Sequence, residues 1–246
     1  SANTLTTTHQ VISTSTSARV DQLFVQCRIN TTGAGRRFLL NLYTGAASSE
    51  TLLVTLPIRI AGTSRMWCGT VLCTIPAGTR VTGRCQDDTG SGSLNVFVSG
   101  QEANSLVVQG ATTGTLLTDQ GSGSNGYATV AGDGATANAF VSTSLVASTA
   151  ADYNAFSLIL ADGTTAASNA DAVIRIKDDG ATIFEYFSKK LSNNDGTNND
   201  LLFFHDVASG SALTAEIASS TTSNRTLLVG LIGYNLTAPS SGGAGV

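Results

Sequence analysis

Hydrophobic and polar residues alternate with a period of two along much of the chain. Val25, Cys27 and Ile29 alternate with the residues between them, and the segments 40–43 and 156–160 follow the same pattern. Successive side chains of a strand point to opposite faces, so the pattern predicts strands with one buried and one solvent-facing side. Such runs recur every ~8 to 12 residues, as in antiparallel sandwiches and barrels, and predict about eight strands in each half.

The chain contains an internal repeat, which predicts two copies of one domain. The segment from Ile75 to Cys85 resembles the segment from Val207 to Ile217 in its turn residues and in its apolar positions. Small changes of offset are expected, because surface turns tolerate insertions. The corresponding segments are 21–29 and 152–160, 38–44 and 172–178, 75–85 and 207–217, and 94–98 and 227–231.

The repeat and the strand pattern together predict an all-β protein with two tandem antiparallel β-sandwich domains of jelly-roll-like type. A Greek-key barrel is the alternative. The first sandwich is expected over residues 1–104, including an N-terminal arm that forms an edge strand or reaches a neighbour. The second is expected over 105–236, and residues 237–246 are expected to be a flexible tail.

One segment conflicts with this pattern when it is taken alone. Residues 211–219 contain good helix formers. Their repeat partner, which begins at Thr79, alternates as a strand does. We therefore predict strands in both places, since tertiary context can override local propensity.

Composition supports the all-β prediction and limits the partners. The chain is 41% hydrophobic and only 12% charged, with a net charge of -4. Residues 1–104 contain eight arginines, no lysine and five acidic residues, a balance of +3, whereas residues 105–246 contain five basic and twelve acidic residues, a balance of -7. An acidic chain without a basic stripe or a long apolar run argues against nucleic acid and membrane partners.

All four cysteines, Cys27, Cys68, Cys73 and Cys85, lie in the first copy. Cys27 aligns with Leu158, which is predicted to be in the core, where a free cysteine acts as a small hydrophobic residue. We expect buried thiols in a protein that folds in a bacterial cytoplasm, with two disulfides and a metal site as alternatives.

The sequence predicts no catalytic, cofactor-binding or metal-binding residues, and hence no enzyme and no cofactor. His205 lies beside Asp206 at the end of an apolar strand, and His9 lies in the N-terminal arm, with no nucleophile on a defined turn near either one. We interpret both as structural.

Paired carboxylates are interpreted as turn residues. Asp87-Asp88 and Asp178-Asp179 are each followed by a glycine within two residues, which is typical of hairpin turns. The segment 193–200 is rich in Asn and Asp, but it lacks the 12-residue spacing and closing Glu of a calcium loop.

Two segments resemble a pattern common in structural proteins of tailed-bacteriophage virions. They read AGTRVTGRCQ (residues 77–86) and SGSALTAEIA (residues 209–218), and each follows an apolar strand and precedes a final strand. The resemblance covers most of residues 11–235. It implies a structural module of an assembled particle, such as a head decoration, a spike or fibre, or a tail accessory, and it carries over no catalytic residue.

The resemblance implies a location in the virion and contacts with other virion proteins such as the major capsid, portal or tail proteins. By the same analogy we expect a homo-oligomer, with a trimer as a frequent arrangement. Because the first half carries only arginine as its basic residue, the hypothesis is that this half docks on the particle and that the acidic half faces outward.

The alternative function is a carbohydrate-binding module of a tail or head fibre, which recognises a host surface glycan. Sandwiches that bind sugars do so through exposed aromatic side chains. Aromatic residues make up only 6% of the chain. The candidates are Tyr43, Trp67, Tyr127, Tyr153, Tyr186 and Tyr234.

Overall fold

The computed structural model describes residues 4–29, 36–60, 66–90, 92–101, 113–118, 125–162, 171–188, 198–222 and 225–236. These residues form strands and turns and no helix, which confirms the prediction of an all-β protein. Within them, no helix is long and apolar enough to span a membrane. The strands are β1 (Gln10–Ser13), β2 (Val20–Ile29), β3 (Arg36–Thr44), β4 (Thr51–Ile60), β5 (Met66–Ile75), β6 (Val81–Asp87), β7 (Leu94–Gln101), β8 (Gly114–Leu116), β9 (Ala128–Ala131), β10 (Val141–Val146), β11 (Tyr153–Asp162), β12 (Ala172–Asp178), β13 (Ala181–Ser188), β14 (Asn198–Val207), β15 (Leu213–Ser219) and β16 (Thr226–Tyr234).

The strands form four antiparallel sheets. Sheet A has the order β1-β6-β3-β4, and sheet B has the order β5-β2-β7. Sheet C has the order β14-β11-β16-β8, with β9 also paired to β16, and sheet D has the order β10-β15-β12-β13. One apolar core lies between sheets A and B, and a second lies between sheets C and D.

The two halves have matching strand orders. Adding nine to each strand number of sheet A gives sheet D, and adding nine to each strand of sheet B gives β14-β11-β16 of sheet C. The second half adds β8 and β9 beside β16. The division between residues 104 and 105 and the tail 237–246 lie outside the described residues, and the two-domain organisation stays a prediction.

The turns before β6 and β15 have the same hydrogen bond. The Gly78 N–H donates to the Thr16 carbonyl at 2.8 Å, and the Gly210 N–H donates to the Thr149 carbonyl at 2.8 Å. Both glycines have positive φ, at 79° and 94°, which other residues adopt only with strain. The predicted correspondence of segments 75–85 and 207–217 therefore extends to individual backbone contacts.

Three local predictions are confirmed. Residues 213–219 form strand β15 rather than a helix, and residues 10–13 of the N-terminal arm form an edge strand on β6. Asp179 (φ 44°) and Gly180 (φ 90°) make the two-residue turn of the β12–β13 hairpin, as expected for an Asp-Gly turn.

The predicted alignment of the last strand is wrong by two residues. Ile29 pairs with Leu94, and Leu160, which is the counterpart of Ile29, pairs with Val229. Leu94 therefore corresponds to Val229 rather than to Leu227. The connection that leads into this strand is longer in the second half. Sequence similarity alone therefore placed the start of the matching segment two residues too early.

The prediction of a solvent-facing side is also wrong for β11. Ser157 and Ile159, which alternate with the core residues of this strand, are 2% and 1% exposed. Both faces of β11 are buried, because the first half covers the face of this strand that sheet D leaves open.

Candidate functional site

The two halves meet at a contact between one sheet face and two sheet edges. The face of sheet C that points away from sheet D packs against β4 and β5, which are the edge strands of sheets A and B. We name this contact the seam. Its apolar side chains continue the first core, so the two halves are held together by hydrophobic burial. The buried residues that the second half contributes to the first core are Tyr127, Ala155, Ile159, Ala161, Leu228, Ile232 and Tyr234.

Pro57 on β4 makes a close contact with β16 in the seam. A Cβ added to Gly230 of β16 would lie 2.6 Å from Pro57 Cγ, which is too close for any side chain. The Tyr127 hydroxyl donates a hydrogen bond to the Pro57 carbonyl at 2.9 Å, and burial raises the pKa of this tyrosine. Gly230 is therefore required by the contact between the halves.

Asp200 on β14 makes the polar contact of the seam. Its carboxylate accepts a hydrogen bond from the Thr70 N–H of β5 at 2.5 Å and a second from the Ser157 hydroxyl. Burial raises the pKa of Asp200. The carboxylate thus satisfies a backbone donor on the edge strand β5, which a sheet edge otherwise leaves unpaired.

Sheet B shows apolar side chains on its outer side. Phe24 of β2, Met66 of β5 and Phe97 of β7 are 37%, 52% and 59% exposed. They lie on the face opposite the core residues Val25 and Cys27. We name these three residues the sheet B face. Large exposed apolar side chains grouped on one sheet are typical of interaction surfaces.

A second group of exposed apolar side chains lies on β13 and β14. Phe187 is 57% exposed, Leu202 is 43% exposed and Phe204 is 59% exposed. The two strands are the edges of sheets D and C, and they lie side by side, since Phe184 of β13 stacks on Phe203 of β14 with ring centroids 4.5 Å apart. We name Phe187, Leu202 and Phe204 the β13/β14 edge.

The first sandwich is open on the side of β1 and β7. A cleft of ≈ 770 Å³ lies there, and its walls include Val11, Leu40, Cys85 and Phe97. In the second sandwich β9 pairs with β16 on the corresponding side, and its Val130 is buried in the second core. The cleft is thus the place where the first half has no counterpart of β9 among the described residues.

Asp87 and Asp88 form two ion pairs at the end of β6. Arg36 lies 3.4 Å from the Asp87 carboxylate, and Arg37 lies 3.4 Å from the Asp88 carboxylate. Burial raises the pKa of Asp88, whereas hydrogen bonds from the Gly92 and Thr89 main chain outweigh partial burial and lower the pKa of Asp87. The predicted turn role is consistent with this geometry, since Thr89 N–H donates to Asp87 at 3.2 Å.

The second sandwich has a more deeply buried ion pair in the corresponding region. Arg225 donates to Asp162 from Nε at 3.2 Å and from Nη2 at 3.1 Å, and it donates to the Ser188 carbonyl from Nη1 at 2.5 Å. The side chains of Arg225 and Asp162 are 1% and 7% exposed. The pair joins β11, β13 and the start of β16.

The four cysteines are free thiols, so the disulfide alternative is wrong. Cys27 and Cys73 are buried, whereas Cys68 and Cys85 are half-buried. Burial raises the pKa of Cys73 and of Cys85 to about 12, and it raises that of Cys27 further. These three thiols therefore stay protonated and unreactive at neutral pH.

The two histidines lie on different strands or segments and have different surroundings. The Nδ1 atom of His9 lies 3.1 Å from the Thr82 hydroxyl, and its ring contacts Tyr43 edge-on at 4.6 Å. His205 is exposed on β14. His9 thus helps to attach the N-terminal arm to sheet A, in line with a structural role.

The aromatic residues proposed for sugar binding are mostly inside the protein. Trp67 is 1% exposed, and Tyr127, Tyr153 and Tyr234 are buried, so none of these four rings can stack on a sugar at the surface. Tyr43 and Tyr186 are half-buried. The exposed aromatic side chains are phenylalanines instead.

The described part of the chain contains no cluster of three His, Cys, Asp or Glu side chains placed to hold a metal ion. Of the Asn- and Asp-rich segment 193–200, residues 193–197 lie outside the described residues, and Asp200 makes the seam contact.

Sequence reasoning missed the seam, the sheet B face and the β13/β14 edge. One signal for the sheet B face was present, since Phe24 and Phe97 stand at positions where the alternation requires solvent-facing residues. A phenylalanine at such a position indicates either a contact within the fold or one with a partner.

Comparisons with known proteins give distant likeness in fold. No protein-family model matches the chain, and no curated protein matches its sequence. Solved structures with similar folds include PNGF-II, with a TM-score of 0.45 and 9% identity over 95% of this chain. The major capsid protein P2 of bacteriophage PM2 has a TM-score of 0.29 and 11% identity, and covers 94% of this chain and 97% of its own.

A tandem CBM22-1–CBM22-2 domain of Paenibacillus barcinonensis Xyn10C has a TM-score of 0.25 and 8% identity, and covers 89% of this chain and 79% of its own. The chain spans 59% of the length of the PNGF-II chain. These values show a β-rich likeness and place the chain in no family.

Proposed function

We propose that the protein is a non-enzymatic structural component of a bacteriophage virion, a capsid decoration or a head spike or fibre attached to the particle surface. The proposal combines the resemblance of segments 77–86 and 209–218 to virion structural proteins with the surface described above. Its role is to bind other protein surfaces, and its location is the virion.

The sheet B face is the observation that carries the proposal. Large apolar side chains on the solvent-facing side of a sheet stabilise it only modestly, through cross-strand pairs worth roughly 0.2–1 kcal/mol each. Phe97 and Met66 are more than half exposed, and water contact with such side chains costs free energy that a partner surface would recover.

The arginines of the first half contribute less to docking than the sequence suggested. Arg36, Arg37 and Arg80 form ion pairs with Asp87, Asp88 and Glu50 of the same chain. They are thereby engaged within the fold. We therefore assign the contact of the first half to its apolar face, with the exposed Arg28 beside it, rather than to a set of arginine side chains.

Fractionation of a phage lysate tests the proposal. Particles are separated from soluble protein on a density gradient and washed at high salt, and the chain is quantified by mass spectrometry against the major shell protein. We expect a constant ratio to the shell protein that survives the wash, because salt screens charge pairs but not apolar contacts. Recovery of the chain only in the soluble fraction would contradict the proposal.

The glycan-binding alternative is weakened, because four of its six candidate aromatic side chains are buried. It would depend on Tyr43 and Tyr186. Reproducible signals on a glycan array that are lost in Tyr186→Ala would revive it, and a blank array with the full chain would remove it.

A further inference from the structure

We propose that the β13/β14 edge of one copy packs on the sheet B face of a second copy, so that the contact between chains repeats the seam within the chain. The inference rests on the proposed function, because it explains how a particle component uses its apolar surfaces. Its occupant is a second copy of this chain.

The seam consists of two surfaces that each have a counterpart elsewhere in the molecule. One is the outer face of sheet C, and its counterpart is the outer face of sheet B, because β11, β14 and β16 correspond to β2, β5 and β7. The other is the edge pair β4 and β5, and its counterpart is the edge pair β13 and β14. Within one chain, β4 and β5 cover the outer face of sheet C at β11 and β16. The sheet B face and the β13/β14 edge instead carry exposed apolar side chains.

The counterpart of Pro57 is an exposed phenylalanine. Pro57 pairs with Leu39, and Phe187 pairs with Val173, which occupies the position of Leu39 in the second half. Pro57 is buried against Gly230 in the seam, whereas Phe187 is 57% exposed. The second half therefore has an exposed apolar residue at the position that Pro57 occupies in the seam.

The polar contact of the seam has an apolar counterpart. Thr70 pairs with Phe24, and its counterpart Phe204 pairs with Ala155. Asp200 corresponds in the same way to Met66, which is paired with Arg28. Where the seam joins Asp200 to Thr70, the contact between copies would join Met66 to Phe204, two side chains that are each more than half exposed.

The sheet B face has an apolar residue at the position of a seam residue. Leu158 pairs with Leu231, and its counterpart Cys27 pairs with Val96, so Phe97 corresponds to Ile232. Ile232 is fully buried in the seam. Phe97 would be buried in the same manner by the edge of a second copy.

The charges of the two halves favour the same contact. It joins the half with a balance of +3 in one copy to the half with a balance of -7 in the other. Arg28 is exposed on the sheet B side, and Asp206 is exposed on β14. Complementary charge of this kind speeds association and selects the head-to-tail orientation over contacts between like halves.

The two surfaces are different, so the contact is heterologous. Each copy then offers one edge and one face, and association continues until a ring closes or a filament forms. A contact of two identical patches would instead stop at a dimer. This distinction makes the inference testable with the purified full-length chain.

Light scattering coupled to size-exclusion chromatography measures the mass of the wild type and of two variants, Phe97→Asp on the face and Phe204→Asp on the edge. We expect an oligomer for the wild type and a monomer for each variant. An equal mixture of the two variants has one intact face and one intact edge between them, and we expect it to form a dimer of one copy of each. The control Leu52→Asp alters an exposed apolar residue outside both surfaces and should keep the wild-type mass.

Formation of the mixed dimer also shows that both variants are folded. Met66→Asp and Phe187→Asp replace them if circular dichroism shows that either one is not. A monomeric wild type, a variant that keeps the oligomer, or a mixture of folded variants that stays monomeric would each overturn the inference. A monomeric wild type that still sediments with particles would contradict this inference but support the proposed function. An oligomer that never enters particles would support this inference but contradict the proposed function.

Discussion

Strands β4 and β13 hold the same place in their sheets, yet β4 is buried over most of its length and β13 is largely exposed. Pro57 of β4 lies against sheet C, whereas Phe187, at the corresponding position of β13, faces solvent. The strand order of the two halves is the same, so the fold of each sandwich does not decide which edge is covered. What differs is the neighbour of each edge: sheet C lies against β4, whereas Phe187 on β13 is exposed among the described residues.

The ion pairs at corresponding ends of the two sandwiches also differ in burial. The first half uses Arg36 and Asp87, with the arginine 18% exposed. The second half uses Arg225 and Asp162, with the arginine 1% exposed. Charge pairs in corresponding regions should therefore differ in how much their loss costs.

The largest effect is expected for Arg225→Met. This change leaves Asp162 buried without its charged partner, and breaking a buried pair in this way costs about 3–5 kcal/mol. Arg36→Met should cost about 1 kcal/mol or less, because Arg36 is 18% exposed and Asp87 keeps the hydrogen bonds from the Thr89 and Gly92 main chain. Urea unfolding of the full-length chain measures both. Equal costs for the two variants would show that the difference in burial between the two ends has no energetic meaning.

The alternation of apolar residues was enough to predict the strands, and the repeat was enough to predict that the halves correspond. The alternation could not predict the seam, because Ile159 alternates with core residues and therefore occupies a position that would face solvent in an isolated sandwich. Nor could it predict that Asp200 bridges the halves, because the residue stands in an Asn- and Asp-rich stretch that is typical of a loop. Contacts between distant surfaces leave no periodic signal in the chain.

A second, smaller effect is expected for Gly230→Ala. The added Cβ would lie 2.6 Å from Pro57 Cγ, and the proline ring cannot turn away, so we expect a loss of about 1–3 kcal/mol as for other overpacked sites. The counterpart of Gly230 is Asn95, which is exposed on β7. Asn95→Ala should cost about 0.5 kcal/mol or less.

Thermal unfolding of the two variants compares the covered and the uncovered face directly. If Gly230→Ala were as stable as the wild type, the two halves would not be in close contact at Pro57. A separate early transition in Gly230→Ala would indicate that the seam opens before the sandwiches unfold.

Gly78→Ala and Gly210→Ala examine a feature in which the halves agree. Both glycines have positive φ, and a Cβ on either one would meet no atom within 4 Å. Only the backbone conformation is then penalised, at about 1 kcal/mol for each variant. Matching losses in chemical denaturation would support equivalent turns, whereas a loss in one half alone would show that the turns differ in energy despite their common hydrogen bond.

The smallest effect concerns the pH dependence of the seam. Burial raises the pKa of Asp200 in the folded protein, so its contribution to stability is fully present below the unfolded pKa of about 3.9 and declines as the pH rises through the folded value. Asp200→Asn removes this titration, and its amide oxygen can still accept a hydrogen bond from the Thr70 N–H. The stability of Asp200→Asn relative to the wild type should therefore rise between about pH 4 and pH 7, as measured by thermal unfolding. Asp206→Asn, at an exposed position of the same strand, controls for the loss of one negative charge.

A relative stability of Asp200→Asn that falls between about pH 4 and pH 7 would contradict this prediction. It would mean that the charged carboxylate of Asp200 stabilises the contact between β5 and β14.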